Sequence, residues 1–365
     1  MQKIIVAGAG RIGSLIATLL ATVDEYEIHL LDSKSESFNS DLMPTAKAYR
    51  QVVLDVTSKQ LDAYIKKEKI TALVSCLPYT ANIALATLAK NHHLHYFDLT
   101  EDIQVSAAIS QLAHHAETAF VPQCGVAPGF ISIVANELMK SFTSLESVYL
   151  RVGALPKHTN HALKYALTWS PEGLINEYAN PCNAIVNGQL TQVQPLEDLE
   201  SIEIDGLHYE AFNTSGGLGT LAMTYQGKVN TLNYKTIRYP GHCEKMRFLM
   251  IDLKLSHARE SLKTILLNAL PQNAEDVVLI YVAVKGNHNQ TSVEKNYVKK
   301  FYPQVIAGKT WSAIQITTAS SASAVIDEVL QNPKAFKGLI KQENFALEAF
   351  LKNRFGSIYK NEEDK

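Results

Sequence analysis

Residues Lys3 to Gly13, KIIVAGAGRIG, set three glycines in the pattern G-x-G-x-x-G directly behind an apolar run. Ile12, Leu15, Ile16, Leu19, Leu20 and Val23 then recur at i, i+3, i+4, i+7, which is one face of an α-helix. Glycines wedged between a strand and a helix leave the chain few options. Gly8 suits a tight turn, Gly10 lets a pyrophosphate approach the backbone, and Gly13 lets helix and strand pack closely. Arg11 and Ile12 open the helix, whose N–H groups and positive dipole end attract phosphate. Asp32 closes the next apolar run, EIHLLD. It lies about 20 residues past the glycines, where a carboxylate accepts hydrogen bonds from an adenosine ribose. The pattern predicts a nicotinamide dinucleotide site, with NAD expected and NADP the alternative.

A chain of 365 residues is too long for one ordinary core, so two domains are expected. At net charge −2 and 19% charged residues, there is no electrostatic case for nucleic acid or an anionic membrane surface. Cys76, Cys124, Cys182 and Cys243 are widely spaced and form no C-x-x-C pair, which argues against a disulfide framework and for a reducing cytoplasm. The histidines at 92, 93, 95, 114 and 115 lack acidic or thiol partners at ligand spacing and read as surface polar residues, so no metal is expected. No stretch reaches the roughly 18 uncharged apolar residues needed to span a bilayer.

Strand-like runs at 3–7, 27–32, 50–55, 71–76, 94–98 and 119–122 alternate with helical patterns. That rhythm predicts an α/β fold with a Rossmann, doubly wound parallel sheet over residues 1–125. Ligands in such sheets lie beyond the carboxyl ends of the strands. The fingerprint is therefore joined by Asp55 and Val56 after the third strand and by Cys76, Leu77 and Pro78 after the fourth, as cofactor-binding candidates. From 126 to 318, strand-like stretches dominate, at 147–153, 184–194, 200–212, 229–237, 277–285 and 311–317. They predict a second, mixed α/β domain for substrate binding and dimerisation. Residues 319–365 read as helices returning to the first domain. A homodimer is expected.

Several of these segments resemble a known family. GAGRIG, DVT, YFDLTED and QCGVAPG are similar to the saccharopine dehydrogenase family, and WSPEGLINEYANP and IRYPGHCEKM most resemble its lysine 6-dehydrogenase-type branch. The resemblance runs from residue 1 to about residue 250. It implies oxidation of the carbon next to an amine nitrogen of a lysine side chain, with hydride passing to a nicotinamide and the imine hydrolysed to the semialdehyde. Saccharopine or lysine is then the small amino-acid substrate. The arginines of the second domain, Arg151, Arg238, Arg247 and Arg259, are few for the three carboxylates of saccharopine. A related carboxylated polyamine, or a non-catalytic nucleotide sensor, are the rival readings.

Such a reaction needs a proton acceptor and groups that hold an amino acid. Asp98, at the end of the fifth strand, is the first candidate base. The resemblance places acid–base or orienting residues at positions matching Cys124 and Tyr79. His242 is the neutral-pH candidate, on a loop with Arg238 and Tyr239. Arg238 suits a carboxylate. Trp169 and Ser170 are candidate walls for an aliphatic stem. The turn opening at Thr214, TSGG, could offer backbone N–H groups to an anion.

Overall fold

The computed structural model describes residues 1–38, 49–271, 275–289 and 291–361. It divides into two compact units, one of Met1–Phe130, Val305–Trp311 and Gln315–Lys365, the other of Ile131–Gln304 and Ser312–Ile314.

The first unit starts with β1 (Gln2–Ala7), α1 (Arg11–Leu20), β2 (Tyr26–Asp32), β3 (Tyr49–Val53), α2 (Lys59–Glu68) and β4 (Ala72–Ser75). It continues with α3 (Asn82–Asn91), β5 (His95–Asp98), α4 (Ile103–Leu112) and β6 (Ala119–Val121). Local chemistry sets the helix starts. The Ser58 hydroxyl accepts the Gln60 N–H at α2, and the Asp102 carboxylate accepts the Val105 N–H at α4. The strands pair in parallel, and read from one edge their order is β3-β2-β1-β4-β5-β6. This is the doubly wound arrangement expected from the sequence, with its switch point between β1 and β4. The strands at its centre are buried on both faces, which explains their unbroken apolar runs.

The second unit holds α5 (Phe130–Lys140, from its second residue on), β7 (Ser144–Pro156), α6 (Pro171–Ala179), β8 (Cys182–Val186) and β9 (Gln189–Val193). Next come β10 (Glu200–Ile204), β11 (Leu207–Asn213), α7 (Leu221–Tyr225), β12 (Val229–Arg238), α8 (His242–Arg247), α9 (Arg259–Ala269), β13 (Asp276–His288) and β14 (Thr291–Phe301). One mixed sheet runs β10-β11-β12-β7-β13-β14, and the β8–β9 hairpin joins it at β12. The chain then forms the two-stranded β15 (Gln304–Ile306) and β16 (Lys309–Trp311), followed by α10 (Ala313–Gln331), β17 (Gly338–Leu339) and α11 (Leu347–Lys352). β17 adds a seventh parallel strand beside β6 in the first unit.

Three local expectations change. The runs at 184–194 and 200–212 are each a hairpin, broken at Asn187-Gly188 and Asp205-Gly206, where all four residues have positive φ. Asn-Gly and Asp-Gly favour this two-residue turn, because its twist matches that of the strands it joins. Residues 313–317, which alternate like a strand, belong to α10. The Asp276 carboxylate accepts the N–H groups of Ala313 and Ile314 and so caps that end. The lysine-rich β14, unforeseen in the sequence, is an edge strand that carries Lys295, Lys299 and Lys300. Among the described residues, no helix is long and apolar enough to cross a membrane.

Candidate active site

The glycine fingerprint is built as its chemistry requires. Gly8 has φ +104°, and a Cβ there would lie 3.0 Å from the Cys76 carbonyl oxygen. A Cβ on Gly13 would fall 2.0 Å from the Gly8 carbonyl oxygen. Side chains are therefore excluded at both positions. Among the described residues, a Cβ on Gly10 would meet nothing within 4 Å, and no side chain caps the α1 N-terminus that Gly10 begins. Open space over a helix start is what a pyrophosphate needs, so these residues fit a dinucleotide. Arg11 and Ile12, both half-buried, form the first turn of α1.

Asp32 is tied into this loop. Its Oδ2 accepts the Ala9 N–H (3.0 Å), while Oδ1 accepts the Lys34 N–H (3.0 Å) and the Ser37 hydroxyl (2.9 Å). Asp55 is exposed and bonds the N–H and hydroxyl of Thr57, which hold its carboxyl below the usual range. Among the described residues, its side-chain hydrogen bonds stay within its own turn. Val56 and Leu77 pack on the core of the unit, and Pro78 precedes the single turn Tyr79–Ala81. Cys76 donates its N–H to Ala7 O (2.8 Å), which brings β1 and β4 together beside the glycines. Burial pushes its thiol up to about 12.

At the ends of β5 and β6 lies the most unusual group of the first unit. Asp98 is 0% exposed. Its Oδ1 accepts the N–H groups of Thr100 and Gln123 (both 3.0 Å), and its Oδ2 accepts the Tyr96 hydroxyl (3.0 Å). Burial drives its carboxyl upward and the three donors pull it back, leaving it at about 6. Glu101, part-exposed but hemmed in by packing, is pushed up to about 7 by desolvation, aided by the charges of Asp102 and Asp98. Cys124 is buried next door. Its thiol donates to Val121 O (3.1 Å), and desolvation and the Asp98 charge hold it well above the ordinary range. Such a thiol is a packing group more readily than a base. Tyr79 is half-buried and leans on the hydrophobic core of the unit.

The second unit holds another buried cluster. His242 Nδ1 bonds the Leu163 carbonyl (2.8 Å), so this nitrogen carries the proton. The Tyr178 hydroxyl, 3.1 Å from Nε2, therefore donates to it. Tyr178 in turn accepts from Arg238 Nε (2.9 Å). Burial, and then the Arg238 charge, lower His242 to about 3. With both nitrogens engaged, His242 is a neutral spacer at physiological pH, which argues against its expected role as a base. Arg238 is 3% exposed, sits over the Tyr165 ring at 4.9 Å, and makes no ion pair among the described residues. Among the described residues, the buried Thr214 hydroxyl of this unit finds no hydrogen-bond partner.

The remaining predicted substrate residues divide. Trp169 donates its indole N–H to the Tyr165 hydroxyl (3.1 Å), joining the Arg238 cluster through that ring. Ser170 is exposed and caps α6, accepting the Gly173 N–H (3.2 Å), so its side chain is already used. Tyr239 donates to Pro156 O (3.0 Å) and packs on a separate core. In the Thr214 turn, the Ser215 N–H bonds the Glu177 carbonyl and the Gly219 N–H bonds Gly216 O, so these two amides are not open to an anion. Sequence reasoning missed Tyr96, although its i, i+2 spacing from Asp98 puts both on one face of β5. It also missed Tyr178 and Gln342, for which no local signal exists.

Comparison with known proteins gives this architecture its place. Residues 4–123 match the model of the saccharopine dehydrogenase NADP binding domain, and residues 125–354 match that of the saccharopine dehydrogenase C-terminal domain. The chain belongs to the saccharopine dehydrogenase family. It is thus an oxidoreductase whose first unit is built for a nicotinamide dinucleotide. Apo saccharopine dehydrogenase (L-Glu forming) from Saccharomyces cerevisiae superposes with a TM-score of 0.75 at 14% identity, covering 94% of each chain, and so shares the fold. The mitochondrial alpha-aminoadipic semialdehyde synthase of Mus musculus is 20% identical over 258 residues, and that of Bos taurus 21% over 268. Each match takes in 67% of this chain and spans only 27% of the relative's length.

Proposed function

We propose that the protein is a nicotinamide-dependent dehydrogenase that oxidises the ε carbon–nitrogen bond of lysine or saccharopine, giving 2-aminoadipate semialdehyde. The observation that carries this reading is Asp98, a fully buried carboxyl held near neutrality at a strand's carboxyl end. Amine oxidation requires the nitrogen to lose its proton, and a carboxyl near 6 is ionised at neutral pH yet basic enough to accept one. The bound nicotinamide supplies the hydride acceptor. Asp98 takes the amine proton and can return it when water replaces the nitrogen. Tyr96 and the Thr100 and Gln123 amides hold the carboxylate in place. Within the second unit, Arg238 is suited to bind a carboxylate, since it is a buried guanidinium that forms no ion pair among the described residues.

NAD is the cofactor favoured by Asp32. A carboxylate fixed by three donors beside the loop suits a ribose hydroxyl and repels a 2′-phosphate. The test is absorbance at 340 nm with NAD or NADP against lysine, saccharopine and carboxylated polyamines. Reduction with lysine or saccharopine is expected. Tight cofactor binding without reduction by any amine overturns the catalytic reading in favour of a nucleotide sensor.

A further inference from the structure

We propose that Gln342 is a positioning residue for Asp98, acting through the single peptide group that joins Pro122 to Gln123. The inference rests on the reading of Asp98 as proton acceptor. Gln342 Nε2 donates to the Pro122 carbonyl oxygen (2.8 Å) across a sequence separation of 220 residues. The N–H on the far side of that same peptide, that of Gln123, donates to Asp98 Oδ1 (3.0 Å). One planar unit therefore carries both bonds. A peptide whose oxygen accepts a hydrogen bond is more polarised, and its N–H becomes the stronger donor.

Three further observations support the relay. Gln123 adopts φ +67°, a left-handed conformation that a non-glycine residue holds only when its surroundings dictate it. The Gln342 side chain is 2% exposed, and its amide orientation is settled by Pro122 O, which can only accept. Its own Oε1 is buried and finds no partner among the described residues. An orphaned acceptor carries a desolvation cost that a methionine of similar length would avoid, so the donor end is what distinguishes glutamine here. That end also reaches Cys124 Sγ (3.5 Å). Donors to a carboxylate favour its ionised form. Gln342 thus helps keep Asp98 able to accept a proton at neutral pH, against the burial that opposes it.

The test is direct titration of Asp98 in the full chain by 13C NMR of labelled aspartate, with Asp98→Asn identifying the resonance. In Gln342→Met the Asp98 midpoint is expected to rise by about half a unit to one unit. The acid limb of the pH–rate profile should move by the same amount, with the plateau above it preserved. In the wild-type protein, the Gln342 side-chain 15N resonance should titrate with the Asp98 midpoint, a measurement that holds even if the variant does not fold. An unmoved Asp98 midpoint in Gln342→Met, or a flat Gln342 resonance, overturns the relay; a lowered melting temperature alone does not rescue it. Full turnover in Asp98→Asn removes the proton-acceptor reading, while the NMR midpoint still decides the coupling.

Discussion

The two units each bury a titratable group among tyrosines and backbone partners, with opposite outcomes. Around Asp98, burial and hydrogen bonds oppose each other, and the carboxyl settles at about 6. Around His242, burial and the Arg238 cation act in the same direction, and the imidazole falls to about 3. The residue type most often associated with proton transfer is thus held neutral, whereas the carboxyl is held closer to neutral pH. Environment, more than intrinsic pKa, assigns the chemistry.

The comparison can be broken at several points. Asp98→Asn should lower turnover by roughly 10²-fold or more with cofactor binding intact, as measured by steady-state kinetics and cofactor titration. Unchanged turnover would reduce Asp98 to a strand-end capping group. Arg238→Met should raise KM for the amino acid about tenfold or more, because a charged hydrogen-bond donor is lost, with kcat less affected. An equal fall in kcat at constant KM would remove Arg238 from substrate binding. Asp32→Ala should weaken NAD more than NADP in fluorescence titrations; equal losses exclude Asp32 from cofactor choice.

The pH responses separate the clusters further. Asp98 must be ionised to accept a proton, so oxidation should decline as pH falls through about 6. His242 binds a proton more readily in the unfolded chain than in the folded one, so it contributes stability above its ordinary value of 6.5 that is lost as pH falls toward about 3. The smallest expected effect follows. His242→Phe should flatten the decline of melting temperature between pH 6.5 and 4 while leaving the pH–rate profile in place. A wild-type slope in that variant, measured by calorimetry, would show that His242 does not carry this linkage.

How far residues could be read without coordinates depended on the range of their interactions. The fingerprint was legible because Gly8 and Gly13 answer to contacts within one βαβ unit, and helix starts such as Ser58 were legible for the same reason. The place of Asp98 at a strand end is legible in the sequence, but its buried state and the Tyr96 bond are not. The loop around His242 suggests a base, but nothing local announces its two partners, Leu163 and Tyr178, which lie 79 and 64 residues away. The hairpins at 187–188 and 205–206 were legible in principle from Asn-Gly and Asp-Gly. The alternation of residues 313–317 misled, because Asp276, far along the chain, caps them as a helix.

The amino-acid sequence by itself determined the parallel nucleotide-binding sheet, its glycine loop and the family, because periodicity and glycine placement are local properties. Tertiary structure alone decided how burial and hydrogen bonds shift each acid. A pKa depends on burial and on donors brought from distant parts of the chain, and the peptide linking Gln342 to Asp98 exists only once the chain has returned to its first sheet.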